Sequence, residues 1–407
     1  METQLENLNQ IKENIFRKIF LLGVMVFFIV LSVSMLHVNQ PEFIGLRFPF
    51  LSDFEKSLFD TLLYAAYISV GLTVGVVSDR IGKRRIFVLI GSGGSILFFW
   101  LMTIATDYTV LLIFRFAQGG FTVLAWQILM TLALDISGKR NRGKNMGFFG
   151  IFLVLAMGIG TILGGIFAEL GVFMPYYFSA IFNGIVFLIS VLILKEPTAI
   201  KKNPSIRKIL LVVKKHPKLV IPSIFNFIDR LHMGFIIFIV QFFLADVLAL
   251  SEGLRGMILA IYSFPLLILS YHMGKLSDRV GRYKPLIGGG IGFGIVLSLI
   301  GILGGLGLPA VIISFIILGS FASMTTPPAM ALVGDVIKEE NTATGMGFFN
   351  FLGNVGIFIG PSLAGLLMFN YSLAFLLAGL IELISLGVIG IILWIFRRKE
   401  SFRPLQF

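Results

Sequence analysis

Twelve runs of about twenty mostly apolar residues, each long enough to cross a bilayer, dominate this chain. They fall near 19–37, 58–78, 86–106, 109–134, 146–168, 174–194, 219–244, 256–274, 285–306, 309–334, 345–368 and 372–396. Charged residues make up 13% and apolar ones 57% of the 407, against the ~25% and 45–50% of a soluble domain. The runs lack the alternation of a membrane barrel, so the backbone must close its hydrogen bonds within helices. The expected fold is an all-α membrane protein. The first run follows a polar, mixed-charge stretch and shows no convincing small-residue cleavage site, so it reads as a retained helix.

Lys and Arg number 33, and their placement encodes orientation. On the side holding both termini and the 195–218 loop lie 28; Arg47, Lys56 and Arg255 lie opposite, and Arg115 and Arg230 fall within spans. This asymmetry puts both termini in the cytoplasm. It accounts for the net charge of +12 without a nucleic-acid partner. Cysteine is absent and the four histidines are scattered, so no metal centre or other cofactor is expected.

The chain repeats itself. Met-Gly-Phe-Phe occupies 146–149 and again 346–349, with Asp135 and Asp335 each eleven residues before a copy. Such a period marks a duplicated unit. It divides the spans into halves at 1–194 and 219–407 around a basic loop at 195–218, where Ile209, Leu210, Leu211 and Val213 allow a short surface helix but a solvated connector reads better. Between the second and third span of each half stand GVVSDRIGKRR (75–85) and GKLSDRVGRYK (274–284).

In these loops the sequence resembles the major facilitator superfamily, whose signature is G-x-L-x-D-R-x-G-R-K. Gly75, Asp79, Arg80, Gly82, Lys83 and Arg84 fit the first copy, with Val77 in place of leucine; Gly274, Asp278, Arg279, Gly281 and Arg282 fit the second. The resemblance covers the whole chain and implies twelve transmembrane helices in two six-helix pseudo-symmetric halves. It also implies a transporter working by alternating access as a monomer in a prokaryotic cytoplasmic membrane, and not an enzyme. By the same resemblance, Asp79 should lie near the start of span 11 and Asp278 near the start of span 5, latching the cytoplasmic side. Lys83 or Arg84 pairing with Asp135, and Arg142, would add to that latch. Glu339, Glu340 and Thr342 make the second half's loop different. Independently of family, Gly82 and Gly281 suit a tight reversal between spans.

Ionisable residues within spans are functional candidates because they are costly there. Span 7 reads FNFIDRLHMGFI, with Asn226, Asp229, Arg230 and His232. Helical spacing puts Asn226, Asp229 and Met233 on one face and Asp229 beside His232, with Arg230 turned away to pair across helices. Span 4 carries Arg115, Gln118 and Gly119, resembling the R-x-x-Q-G-x-G pattern whose arginine the family ties to proton coupling, although Phe121 replaces the last glycine. Arg115 lies about 9 Å from the helix end, and snorkelling competes with that role. Trp126 and Gln127 are candidates to line a cavity. GIGTILGG (158–165) resembles an antiporter pattern without its proline, and close helix packing explains it as well. Thr325-Thr326-Pro327-Pro328 predicts a kink or break in span 10. Glu382 lies in span 12, which the resemblance places at the periphery, so little role is expected of it. GSGG (91–94) and GGGIGFG (288–294) lie inside apolar spans and read as packing surfaces, not phosphate loops.

These features favour proton-coupled efflux of small lipophilic or drug-like molecules, with the bilayer and protons as partners. The alternative is proton- or sodium-coupled uptake of a polar metabolite such as a sugar, amino acid or organic anion. A non-transporting membrane scaffold is weaker, because both gate motifs are kept.

Overall fold

A computed structural model describes residues 2–137, 142–196, 211, 213–337 and 342–401. The chain forms thirteen long or short α-helices there: α1 Glu2–Val38, α2 Gln40–Arg47, α3 Asp53–Ile81, α4 Arg85–Ile104, α5 Tyr108–Ile136, α6 Arg142–Leu170, α7 Met174–Leu192, α8 Val220–Asp246, α9 Glu252–Val280, α10 Tyr283–Leu303, α11 Leu308–Val336, α12 Thr342–Leu367 and α13 Tyr371–Ser401. Eleven are long and apolar enough to cross a membrane. With α3, 29 residues long, they make the twelve spans of two pseudo-symmetric halves. Most of the 195–218 connector, and the side chains of Asp79 and Arg142, lie outside the described residues.

By contact the chain separates into two units. Unit 1 comprises Met1–Phe50, Leu62–Pro204 and Ser251–Ala260; unit 2 comprises Leu51–Thr61, Ser205–Leu250 and Ile261–Phe407. Within unit 1, α1 packs on α6 and α7, and α4 on α5 and α7. Unit 2 repeats the pattern with α8 on α12, and α10 on α11 and α13. Without a hydrophobic drive between helices in lipid, close van der Waals approach must hold such pairs. Small residues supply it: a methyl at Gly164 would strike the Met35 carbonyl, and one at Gly356 the Phe227 carbonyl. The repeated Met-Gly-Phe-Phe has a packing role in each unit. Phe149 is buried among Leu22, Met25 and Leu129, and Phe349 among Phe225, Leu286 and Val333.

Of the kink or break expected in span 10, a break is ruled out: α11 runs continuously through Pro327 and Pro328. Thr325 and Thr326 hydroxyls bond to the Ala322 carbonyl at 3.0 and 3.4 Å, in the turn just before the prolines. Between the first two spans lies the short helix α2, whose Pro41 sits where a missing N–H costs nothing.

Candidate functional site

The loop motifs build two arginine clasps. Gly82 and Gly281 turn the chain with φ of 71° and 91°, a region open to glycine without a Cβ clash. Past the first turn, Arg84 is buried, with Nη2 3.3 Å from Asp135 Oδ2 and Nη1 donating to Ser78 Oγ at 2.6 Å. Glu196 accepts from the Arg85 amide at 3.1 Å, tying the end of α7 to the same turn. In unit 2, Arg282 donates through Nε to Asp335 Oδ2 at 2.9 Å and bonds Ser277 and Asp278. The Asp335 hydrogen bond, with Asp278 beside it, holds the Arg282 guanidinium above its ordinary value. So Arg84 and not Lys83 meets Asp135, and Asp278 is engaged by Arg282 four residues on. Lys83, Arg80 and Arg279 are exposed. The Arg282–Asp335 contact was missed, although Asp335 is the repeat partner of Asp135.

A second set of polar contacts, not anticipated from the sequence, involves α2, α3 and the start of α9. Arg255, at the start of α9, is fully buried in unit 1, its Nη2 2.5 Å from Glu42 Oε1 on α2. The Gly253 amide donates to Glu169 Oε1 at 3.1 Å, at the end of α6. In unit 2, Thr61 Oγ1 meets Ser362 Oγ at 2.8 Å, joining the start of α3 to α12.

The intramembrane candidates sort by partner. Arg115 does not snorkel: it is fully buried, Nη1 donating to Gln118 Oε1 at 3.0 Å. Gln118 Nε2 donates to Thr122 Oγ1 at 2.7 Å, and Thr122 meets Ser95 at 3.1 Å. Lateral burial on α5 outweighs its short distance from the helix end. Gln127 Nε2 bonds the Gly71 carbonyl at 3.0 Å, and Trp126 packs on the apolar core of unit 1.

In span 7 the expected grouping comes apart. Asn226 Nδ2 donates to the Phe349 carbonyl on α12 at 2.7 Å and serves helix packing. Asp229 faces α11, accepting from Thr325 Oγ1 at 3.4 Å and Thr326 Oγ1 at 3.2 Å. Arg230 does not pair across helices among the described residues; its Nη1 lies 3.4 Å from Met233 Sδ on its own helix. His232 is fully buried against α13, Nε2 2.9 Å from the Ala378 carbonyl and Nδ1 3.3 Å from Glu382 Oε2. Among the described residues no guanidinium is hydrogen-bonded to Asp229; Arg230 acts on it through its charge alone, and hydroxyls hold its oxygens. A carboxylate so placed is costly to keep charged and suited to exchange a proton.

The family profile described as Major Facilitator Superfamily matches residues 19–244 and again 223–406. The chain belongs to that family. A similar MFS-type transporter of Methanocaldococcus jannaschii is 27% identical over 73% of this chain and 77% of its own. The bacillibactin exporter of Bacillus subtilis is 25% identical over 83% and 87%. A crystal structure of the nucleoside transporter NupG superposes with a TM-score of 0.77 at 13% identity, over 92% of this chain and 99% of that one. The last likeness concerns fold alone. The chain is thus a multi-pass secondary transporter of small molecules, in a family of transporters and not of enzymes.

Proposed function

We propose that the transporter exports small, largely apolar molecules in exchange for protons, with Asp229 as the coupling carboxylate. The observation that carries this is the Asp229 environment: a carboxylate within an apolar span, held by two threonine hydroxyls and, among the described residues, hydrogen-bonded to no guanidinium. Likeness to the bacillibactin exporter along most of the chain supports the outward direction. The driving force suffices. About 2.3 kcal/mol per charge per 100 mV and about 1.4 kcal/mol per pH unit give about 3.7 kcal/mol, or ~500-fold expulsion per proton.

In this reading the moving bodies are 1–194 and 219–407, joined by 195–218, in one monomeric chain with both termini in the cytoplasm. The Asp79 and Asp278 loops, with Arg142, latch the cytoplasmic side in the outward-open state, as the family resemblance implies. The Arg255–Glu42 and Thr61–Ser362 contacts serve as outer clasps that each cycle must release. The buried Arg115–Gln118–Thr122 network is a fixed positive charge that the cycling proton works against.

The test is proton movement in inside-out vesicles, followed with a pH-sensitive dye, for wild type and Asp229→Asn. The panel covers lipophilic cations, sugars, amino acids and organic acids. A lipophilic compound that discharges the pH gradient through wild type alone supports the reading. Equal discharge by the mutant removes Asp229 from coupling. A response confined to the polar compounds replaces efflux of apolar molecules with transport of a polar metabolite.

A further inference from the structure

His232 and Glu382 lie 150 residues apart in sequence, on α8 and α13, yet they share one closed compartment. His232 is fully buried and Glu382 is 5% exposed. The Phe293 ring lies 5.5 Å from the imidazole, and α10 offers Gly290 directly against the carboxylate, where a methyl carbon would stand 2.7 Å from Glu382 Oε1. Gly290 thus makes the seat for this acid.

One hydrogen bond and one close contact set how many protons the pair needs: Nε2 is bonded, while the buried Nδ1 has no hydrogen-bond partner and stands 3.3 Å from the carboxylate. A carbonyl oxygen only accepts, so the 2.9 Å contact from Nε2 to the Ala378 oxygen requires a hydrogen on Nε2. If Nδ1 were then bare and Glu382 ionised, a nitrogen lone pair would face a carboxylate oxygen at 3.3 Å, with no hydrogen between two buried acceptors. That arrangement is repulsive and leaves a charge desolvated. One proton relieves both faults. It resides on Nδ1 beside a carboxylate, or on Oε2 beside a neutral imidazole, and transfer along the 3.3 Å line interconverts the two.

We infer that the His232–Glu382 pair is a proton-binding site separate from Asp229, holding one proton in this conformation. The surrounding charges agree. On α8, Asp229 and Arg230 are the neighbouring ionisable groups, within one turn of His232. α11 contributes the Thr325 and Thr326 hydroxyls, α9 contributes Tyr262, α12 bears no ionisable residue, and α10 presents Phe293 and Gly290. Two carboxylates against one guanidinium leave a net charge of −1; the shared proton brings the set to neutrality. Release requires the Nδ1–H or Oε2–H bond to break and the proton to pass to water, which the closed compartment prevents until α13 or α10 moves away from α8. The pair's part in transport rests on the proton-coupled reading above; its occupancy does not.

The experiment is NMR of the purified full-length protein with ¹⁵N-labelled histidine at pH 7, without substrate. Of its four histidines, His232 is identified by the signal lost in His232→Gln. The expected result is one slowly exchanging proton on the pair, correlated with His232 Nδ1 or borne by the Glu382 carboxyl, retained in Asp229→Asn and lost in Glu382→Gln. A wild-type spectrum with a bare Nδ1 and no slowly exchanging proton on either that nitrogen or the Glu382 carboxyl overturns the inference, and so does persistence of the signal in folded Glu382→Gln. If that variant does not fold, the wild-type spectrum decides alone. Failure here leaves coupling at Asp229 standing. Unaltered coupling in Asp229→Asn removes the earlier reading and leaves this resonance in place.

Discussion

Positions 32 and 232 are equivalent in the repeat, and comparing them separates what the two halves share from what they do not. In unit 1, Ser32 Oγ lies 3.3 Å from the Ser179 carbonyl, Ser179 Oγ returns a 2.7 Å bond to the Ser32 carbonyl, and Phe28 stacks on Phe182. In unit 2, His232 reaches the Ala378 carbonyl in the same way, and Glu382 stands where the repeat has Phe182. The geometry is the same: a polar side chain on the first helix of the half bonds a backbone carbonyl on the sixth. One version is neutral and self-satisfied, the other ionisable and dependent on a proton. Duplication preserved the clasp, and chemistry was added to one copy only.

The largest effect that can break this comparison comes from Asp229→Asn, which should abolish proton-driven substrate movement. Loss of the coupling removes the ~500-fold gradient that one proton supports. Retained substrate-dependent proton flux in vesicles would mean that unit 2's added chemistry lies elsewhere. Next comes His232→Ser, which restores the unit 1 residue but strands Glu382 without its partner. Breaking a buried pair costs ~3–5 kcal/mol, so thermal unfolding should drop sharply, while His232→Ser with Glu382→Gln recovers most of the loss. Equal melting of the single and double variants would show that Glu382 needs no proton.

Gly290→Ala tests the seat. Its methyl group would displace the carboxylate, at a cost of ~1–3 kcal/mol for overpacking, and should lengthen the His232–Glu382 contact seen by NMR. The arginine clasps extend the comparison to the loops. Arg84 is buried and Arg282 lies with half-exposed carboxylates, so Arg84→Ala should lower stability by about 2 kcal/mol and Arg282→Ala by under ~1 kcal/mol.

The smallest effect is at Ser52–Glu55, a capping box that opens α3. Ser52 N–H and Oγ donate to Glu55 Oε2 at 2.7 Å each, and the Glu55 amide returns a bond to Ser52 Oγ at 3.3 Å. The Ser52 hydroxyl bond lowers the Glu55 carboxyl below its ordinary value. Its folded value being depressed, this contribution is present above the unfolded value of 4.5 and lost as pH falls through the folded one. Ser52→Ala should flatten that acid-side slope in melting curves and leave neutral-pH transport intact.

The sequence disclosed what is periodic or local. Span lengths, the glycine turns at Gly82 and Gly281 and the packing role of GGGIGFG follow from spacing and residue type, while the family resemblance pointed to Lys83 or Arg84 as the partner of Asp135. Depth along a helix was legible too, but lateral direction was not: Arg115 lies near a helix end yet points into the bundle, and Asp229 and His232, three residues apart, face different helices. Glu382 was undervalued because its partner is on another helix and an expected peripheral position hid its burial. Arg255 read as a topology charge, because nothing local signals Glu42 across the fold.

One consequence of the threonine pair on α11 remains. Each hydroxyl carries a single hydrogen and has two acceptors in reach, the Ala322 carbonyl and an Asp229 oxygen. An ionised Asp229 draws both hydrogens outward, and a protonated one hands them back to the helix. The turn that receives them immediately precedes Pro327 and Pro328, which have no N–H to offer the carbonyls of Ser323 and Met324. Under the proton-coupled reading proposed above, the two hydroxyls are rotors that convert a proton on α8 into a change of stiffness in α11, at the turn least able to brace itself.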